Sequence, residues 1–157
     1  MYKGIRRSYT LLVLFFIEVV KELGTDPTIE MLEKAIEGQA DVIERELRRE
    51  IPVGTTPLEA GVRVYRAFME DAGAEVKVHR RDETSITFRV ARCPFYEAFL
   101  DVGIDCGYFL GGLCTNLTLP AIRATLARFD PRLKLKTVVV RETAEELCLE
   151  KIYLDEP

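Results

Sequence analysis

Cys93 is the residue of this sequence whose neighbours best suit covalent chemistry. It lies in the segment Arg92-Cys93-Pro94, directly before a predicted helix, and Glu97 follows one turn further along. A cysteine attacks as the thiolate, which a neighbouring arginine and a helix N-terminus both stabilise. Cys93 and Glu97 are therefore the candidate catalytic pair of a cysteine-dependent hydrolase. The single histidine, His79, is expected on a solvent-facing strand position, so no serine triad is predicted.

The four cysteines are poorly spaced for a metal site. Twelve, seven and 33 residues separate Cys93, Cys106, Cys114 and Cys148, whereas zinc sites commonly hold two cysteines two to four residues apart. We predict reduced thiols that pack as small hydrophobic groups, with no metal and no other cofactor. Zinc is the alternative, and its weak candidate ligands are Cys106, Cys114 and Cys148. No phosphate-binding glycine motif is present, so a nucleotide cofactor is not indicated.

The residues after position 94 form a second kind of candidate site. Phe95 and Phe99 fall on one face of a short predicted helix, with Glu97 off that face, and the next predicted helix, 105–117, contains three glycines. Each glycine costs about 1 kcal/mol relative to alanine inside a helix. The missing side chains allow either tight packing or room for a ligand. The predicted ligand-binding residues are Phe95, Glu97, Phe99, Tyr108, Phe109, Leu110, Gly111, Leu113 and Cys114, with Glu97 and Tyr108 as polar anchors.

This part of the chain resembles the vinyl reductase (bacteriochlorophyll four-vinyl reductase) domain family, whose fold is shared by the TRAPP vesicle-tethering subunits. The resemblance covers roughly Val76 to Leu154. It rests on the strand-to-helix junction that begins at Arg92, on the helix from Cys106 to Gly111 and on a final hairpin that ends in a cysteine. Arg92-Cys93-Pro94 together with Glu145-Glu146-Leu147-Cys148 is also similar to the amino-thiazoline carboxylate hydrolase-like family.

The first resemblance implies a small-molecule sensor domain that does not transform its ligand and is often dimeric through N-terminal helices. Some members bind zinc through Cys and Glu near the final hairpin. Cys106 or Cys114 matches the helix cysteine of that pattern and Cys148 matches the last one, but the acidic turn before Cys148 is shortened here. The second resemblance implies a hydrolase that uses Cys93. The likeness to tethering subunits implies a structural assembly subunit with no cavity.

Hydrophobic periodicity predicts the elements that position these residues. A helix from Ile5 to Leu23 is followed by a second that Asp26 caps and Pro52 ends, and then by a third that opens at Thr56-Pro57-Leu58-Glu59. Two hairpins follow, with strand-like runs near 76–90 and 133–154. The sequence thus predicts an α+β fold in which helices cover a four-stranded antiparallel sheet behind an N-terminal helical segment. We expect one domain, 1–157, with a helical part, 1–73, and a sheet-plus-helices part, 74–157.

The composition of the chain indicates which partners and which environment to expect. The chain of 157 residues has 22 Lys and Arg against 26 Asp and Glu, a net charge of −4. Lys and Arg are scattered among the acidic residues along the sequence, which disfavours nucleic-acid binding. A single Asn and a single Gln among many charged residues suggest a thermophile, and free cysteines suggest a reducing cytoplasm.

The apolar run in the first predicted helix raises the question of a membrane. The run from Leu11 to Ile17 ends at Glu18, well short of the roughly 20 residues of a membrane span, so no span and no signal peptide is predicted. A helix apolar on nearly all sides needs more cover than one small domain offers. We therefore expect a homodimer through the N-terminal helices.

Overall fold

The computed structural model describes residues 2–103, 114–143 and 145–155. In these ranges the chain has the predicted α+β fold, with helices on one face of a four-stranded antiparallel sheet. None of the helices in these ranges combines the length and the apolar character that crossing a bilayer requires. The elements in chain order are α1 (Tyr2–Leu23), α2 (Thr25–Glu50), α3 (Pro57–Asp71), β1 (Val76–Arg81), β2 (Ser85–Val90), α4 (Pro94–Asp101), a π-helical turn (Cys114–Thr118), α5 (Leu119–Phe129), β3 (Leu133–Val139) and β4 (Cys148–Leu154).

Two predicted helix starts have different outcomes. Thr56 caps α3 as predicted, because its hydroxyl accepts a hydrogen bond from the Glu59 backbone N–H at 3.4 Å. The prediction that Asp26 caps α2 was wrong, since the helix begins at Thr25 and Gly24 is the N-cap. Gly24 is the only residue between α1 and α2, and its φ of 86° lets the chain turn without a loop. Asp26 therefore lies inside the first turn, where a carboxylate still favours the helix N-terminus.

The sheet has the strand order β1-β2-β4-β3, so β2 and β4 are its central strands. Side chains at alternate positions of these two strands are buried on the helix-covered face, with Phe88 and Ile152 fully buried. The edge strand β1 is less protected, and Val78 is 51% exposed although it is paired with Phe88. A register shift between Val78 and Arg80 interrupts β1 at His79, which is exposed as predicted.

The core lies between the sheet and helices α3, α4 and α5. Gly61 of α3 lets this helix approach β3 closely, because a Cβ atom at that position would lie 2.8 Å from the Leu133 Cδ2 atom. Helical spacing predicts an apolar face on α3 formed by Leu58, Val62, Tyr65, Phe68 and Met69. Leu58, Tyr65 and Met69 are buried, while Val62 and Phe68 are only half-buried. The buried face is thus rotated toward Gly61 and Val64.

Helix α1 leaves much of its apolar surface uncovered. Only Val13 and Phe16 of this helix are buried, whereas Leu11 and Phe15 are 69% and 64% exposed. Leu12 and Leu14 beside them are also exposed. Proteins rarely leave several neighbouring large apolar side chains in water unless these side chains contact a partner. The outer face of α1 is therefore a candidate contact surface.

Candidate functional site

Phe95 and Phe99 lie on one buried face of α4, as their spacing predicts. Both are fully buried and belong to the hydrophobic core beneath the helices. The Phe95 ring meets the Tyr9 ring of α1 edge-on, with 4.2 Å between their centroids. Burial raises the pKa of Tyr9 to about 12. Both phenylalanines therefore anchor α4 in the core, and Phe95 also contacts α1.

Glu97 lies off this face, as predicted, but its carboxylate is already paired. Arg6 of α1 donates to one oxygen at 2.9 Å, and Arg92 donates to the other at 3.3 Å. Arg6 also holds Asp101, and this hydrogen bond lowers the pKa of the aspartate. Glu97 thus joins α1 to α4 at the edge of a polar groove of about 440 Å³. Its environment is ionic, which is unlike the apolar pocket predicted around it.

Cys93 is the N-cap residue of α4 and is buried. Burial raises the pKa of its thiol, which favours the protonated form. The Arg92 guanidinium does not offset this effect, because it lies over the Tyr2 ring at 3.6 Å and donates to Glu97. A nucleophilic cysteine needs the opposite environment. The geometry around Cys93 therefore gives the hydrolase alternative no support.

Several predicted site residues lie outside the described residues. They are Cys106, Tyr108, Phe109, Leu110, Gly111 and Leu113. Cys114 and Cys148 are described, and both are half-buried. Within the ranges 2–103, 114–143 and 145–155, no three His, Cys, Asp or Glu side chains are grouped so as to hold a metal ion.

A buried polar cluster lies on the covered face of the sheet, and the sequence reasoning missed it. Tyr65 of α3 donates to the Glu150 carboxylate of β4 at 2.5 Å, and both side chains are buried. Burial raises the pKa of Glu150 and that of Tyr65. The signal was present in the sequence, because Glu150 is a lone acid at an inward position of an apolar strand.

Arg141 extends this cluster toward the end of the sheet. Its guanidinium donates to the Val90 carbonyl oxygen at 2.5 Å and to the Cys148 sulfur at 3.4 Å. It also lies 5.1 Å from the centroid of the Tyr96 ring. Arg141 is buried, so these contacts replace the water that a guanidinium normally binds. Arg141 therefore ties the loop after β3 to β2 and β4.

An apolar groove of about 300 Å³ lies between α1, α2, α3 and the start of α5. Its walls are mainly aliphatic and aromatic, and its residues are Tyr9, Leu12, Leu32, Ala35, Ile36, Gln39, Phe68, Leu117, Thr118 and Ala121. Thr118 lines this groove, and its buried hydroxyl has no hydrogen-bond partner in the described part of the chain. Two further uncharged polar residues, Gln39 and Tyr9, also line the groove. The groove thus offers apolar surface with a few hydrogen-bonding groups.

A larger groove of about 900 Å³ between α2 and α5 has a different character. Five charged residues line it, namely Glu30, Glu33, Lys34, Glu37 and Arg123. An apolar molecule bound there would lie beside these charges.

Comparison of the chain with models of protein families and with curated proteins gives no match.

Proposed function

We propose that this protein binds a small, largely apolar molecule in the groove between α1, α2, α3 and α5. The observation that carries the proposal is a groove with apolar walls that is lined by Thr118, whose buried hydroxyl has no hydrogen-bond partner among the described residues. A buried polar group without a partner costs about 1–3 kcal/mol. A ligand with one hydroxyl or carbonyl group would satisfy Thr118 and bury its own apolar part.

The proposed groove is next to the residues that the sequence singled out. Leu117 lies in both the groove and the predicted helix 105–117. Phe95 does not line the groove, but it packs edge-on against Tyr9, which does. The core phenylalanine therefore positions one wall of the groove. This arrangement supports the binding module predicted from the sequence, with the ligand on the outer side of Tyr9.

Filling the groove tests the proposal. Ala35 lines the groove and is exposed, so Ala35→Trp adds bulk there without entering the core. Ala127 is an exposed alanine of α5 that does not line the groove, and Ala127→Trp is the matched control. We expect octanol to raise the melting temperature of the wild type and of the control, because a ligand stabilises the state that binds it. Ala35→Trp should lose this shift. An unchanged shift in Ala35→Trp, or none in the wild type, would contradict the proposal.

The polar part of the proposal has its own test. Thr118→Val keeps the shape of the side chain and removes the unpartnered hydroxyl, so the free protein should be no less stable than the wild type. The variant should bind octanol several-fold more weakly and octane equally well. Equal affinity of wild type and variant for octanol would mean that Thr118 does not contact the ligand.

We also propose, as a second candidate, an assembly role in which α1 pairs with a second copy of the chain. The exposed Leu11 and Phe15 favour this role, since they lie together on the outer face of the helix. Lys3 and Arg7 precede them on that face, and Glu18 and Glu22 follow. The outer face of α1 is therefore basic at one end and apolar in the middle. At the other end it carries Glu18, which pairs with Lys21 at 2.7 Å, and Glu22.

An antiparallel pair of α1 helices would match these three zones. If the two-fold axis crosses the pair at the height of residue 13, Leu11 of one copy lies opposite Phe15 of the other. A helix rises 1.5 Å per residue, so Arg7 is about 9 Å and Glu18 about 7.5 Å from the axis, on opposite sides. In the antiparallel pair Arg7 of one copy meets Glu18 of the other, which also pairs with Lys21 of its own helix. This self-complementary pattern is what an isologous dimer requires.

A further inference from the structure

The face of the sheet opposite α3 and α5 carries a cluster of basic side chains. Strand pairing places Lys77 of β1 beside Arg89 of β2, and Lys151 of β4 beside Lys136 of β3. Arg80 pairs with Thr87 in the same row as Lys151. We call this surface the basic face and define it by Lys77, Arg80, Arg89, Lys134, Lys136 and Lys151.

No acidic residue of the strands shares the basic face. Glu150, the only acid within the four strands, points to the opposite side and contacts Tyr65. In the described ranges, none of the six cations forms an ion pair with a carboxylate. Arg6 and Arg128 on the helical side, by contrast, each contact more than one acid. Five of the six are exposed and Lys151 is half-buried. A chain with a net charge of −4 thus keeps unpaired positive charge on one surface.

The six cations are spread over two dimensions. They occupy all four strands, and neighbouring strands are about 4.8 Å apart, so the cluster is about 14 Å wide. Residues two apart on a strand add about 6.7 Å in the other direction, as between Lys134 and Lys136. A surface of anionic headgroups also presents its charges in two dimensions. A nucleic-acid backbone presents them along a line.

An apolar corner adjoins the basic face. Val138, Val139 and Val140 follow Lys136 at the end of β3 and are 52%, 44% and 60% exposed. Valines beside lysines suit the boundary between headgroups and acyl chains. The only aromatic side chain that the strands place on this face is Tyr153, and the Lys136 ammonium lies 5.1 Å from its ring centroid. The face therefore lacks the free rings on which single-stranded nucleic acids stack.

We propose that the basic face binds the surface of an anionic membrane, with the valine corner entering the headgroup region. Each Lys or Arg near an anionic bilayer contributes about 1 kcal/mol. Because 1.4 kcal/mol corresponds to a factor of ten, six cations give up to about 10⁴-fold preference for anionic over neutral lipid. Salt screens exposed charges, so the preference must fall as ionic strength rises.

Vesicle sedimentation with two charge-matched variants tests this inference. The test variant replaces Arg89, Lys136 and Lys151 with glutamine. The control replaces three exposed basic residues of the helices, namely Lys34, Arg49 and Arg63, with glutamine and has the same net charge. We expect the wild type and the control to bind vesicles of phosphatidylcholine mixed with phosphatidylserine. The test variant should bind about 100-fold more weakly, because three cations are lost. Circular dichroism verifies that both variants are folded.

The other outcomes overturn the proposal. Equal losses in the two variants would mean that net charge, rather than this face, governs binding. No binding of the wild type to anionic vesicles would remove the proposal altogether. Binding of the wild type to an RNA oligonucleotide but not to vesicles would assign the face to nucleic acid. Val140→Ser further distinguishes a membrane from RNA as the partner. This variant should bind vesicles several-fold more weakly and bind RNA as well as the wild type does.

Discussion

Removing the Tyr65 hydroxyl tests whether the buried pair with Glu150 stabilises the fold. Tyr65 is fully buried, and its ring stacks on Phe88 with 4.6 Å between centroids. Tyr65→Phe keeps this stacking and removes only the donor that lies 2.5 Å from the Glu150 carboxylate. A hydrogen bond to a charged group contributes about 1.5–3 kcal/mol, so we expect the free energy of unfolding to fall by about 2 kcal/mol near neutral pH.

Urea unfolding followed by circular dichroism measures this change. With an m-value of about 2 kcal/mol/M, the midpoint should move by about 1 M with no change in slope. Tyr153→Phe is the control, because this half-buried tyrosine lies on the open face of the sheet and its loss of a hydroxyl should cost less than about 0.5 kcal/mol. A loss below about 0.5 kcal/mol in Tyr65→Phe would refute the reasoning.

A double-mutant cycle with Glu150→Gln identifies the charge as the cause. The glutamine carbonyl can still accept from Tyr65, but this bond is neutral and contributes only about 1 kcal/mol. Tyr65→Phe should therefore cost about 1 kcal/mol less in the Glu150→Gln background. An equal cost in both backgrounds would show that the hydroxyl does not stabilise a carboxylate.

The pH dependence of the same variant has a defined sign. Burial raises the pKa of Glu150 above its usual 4.5, so the folded protein holds this proton more tightly than the unfolded chain. The stability that this group contributes is fully present below pH 4.5 and is lost as the pH rises through the folded pKa. Asp101 acts in the opposite direction, because its pKa is lowered, but it is present in both proteins. Glu150→Gln should thus gain stability relative to the wild type as the pH rises, and a constant difference between their urea midpoints would contradict this.

Three further predictions concern association, packing and metal. Phe15→Glu should convert a dimer to a monomer in light scattering, because it places a charge in the apolar middle of the proposed α1 pair; a wild-type mass near 17.9 kDa would reject the dimer itself. Gly61→Ala should lower the free energy of unfolding by about 1–3 kcal/mol, because its Cβ would lie 2.8 Å from a Leu133 side-chain atom. The control Gly38→Ala lies on open helix surface and should raise the free energy of unfolding by up to about 1 kcal/mol. Equal effects of the two substitutions in urea unfolding would contradict this packing. Elemental analysis should find well below one zinc per chain, and a stoichiometric zinc signal that disappears in Cys148→Ser would show that the spacing argument was wrong.

Local sequence patterns predicted most of the fold. Proline at the first position of α3 and α4, the Thr56 cap and the alternation in β2 each act within a few residues, so they can be recognised without knowledge of the rest of the chain. The four-stranded antiparallel sheet follows from two hairpins. The start of α2 was missed because a single left-handed glycine replaces the loop that a capping aspartate would have followed.

The candidate site could be predicted only in part. The spacing of Phe95 and Phe99 determined that they share a buried face, and the position of Glu97 determined that it lies off that face. The sequence alone could not show that Glu97 meets Arg6, which is 91 residues away. Nor could it show that Thr118 and Tyr9 line the same groove, or that Tyr65 reaches Glu150.

The sequence by itself determined the elements, the composition and the apolar character of α1. Only the tertiary structure decided where the charges lie, because basic and acidic residues that are interspersed along the chain separate onto different surfaces when strands pair. Lys136 and Lys151 are 15 positions apart in sequence but are paired in the sheet, while Glu150 next to Lys151 turns inward. Side chains of a strand alternate between its two faces, so strand register decides which charges become neighbours.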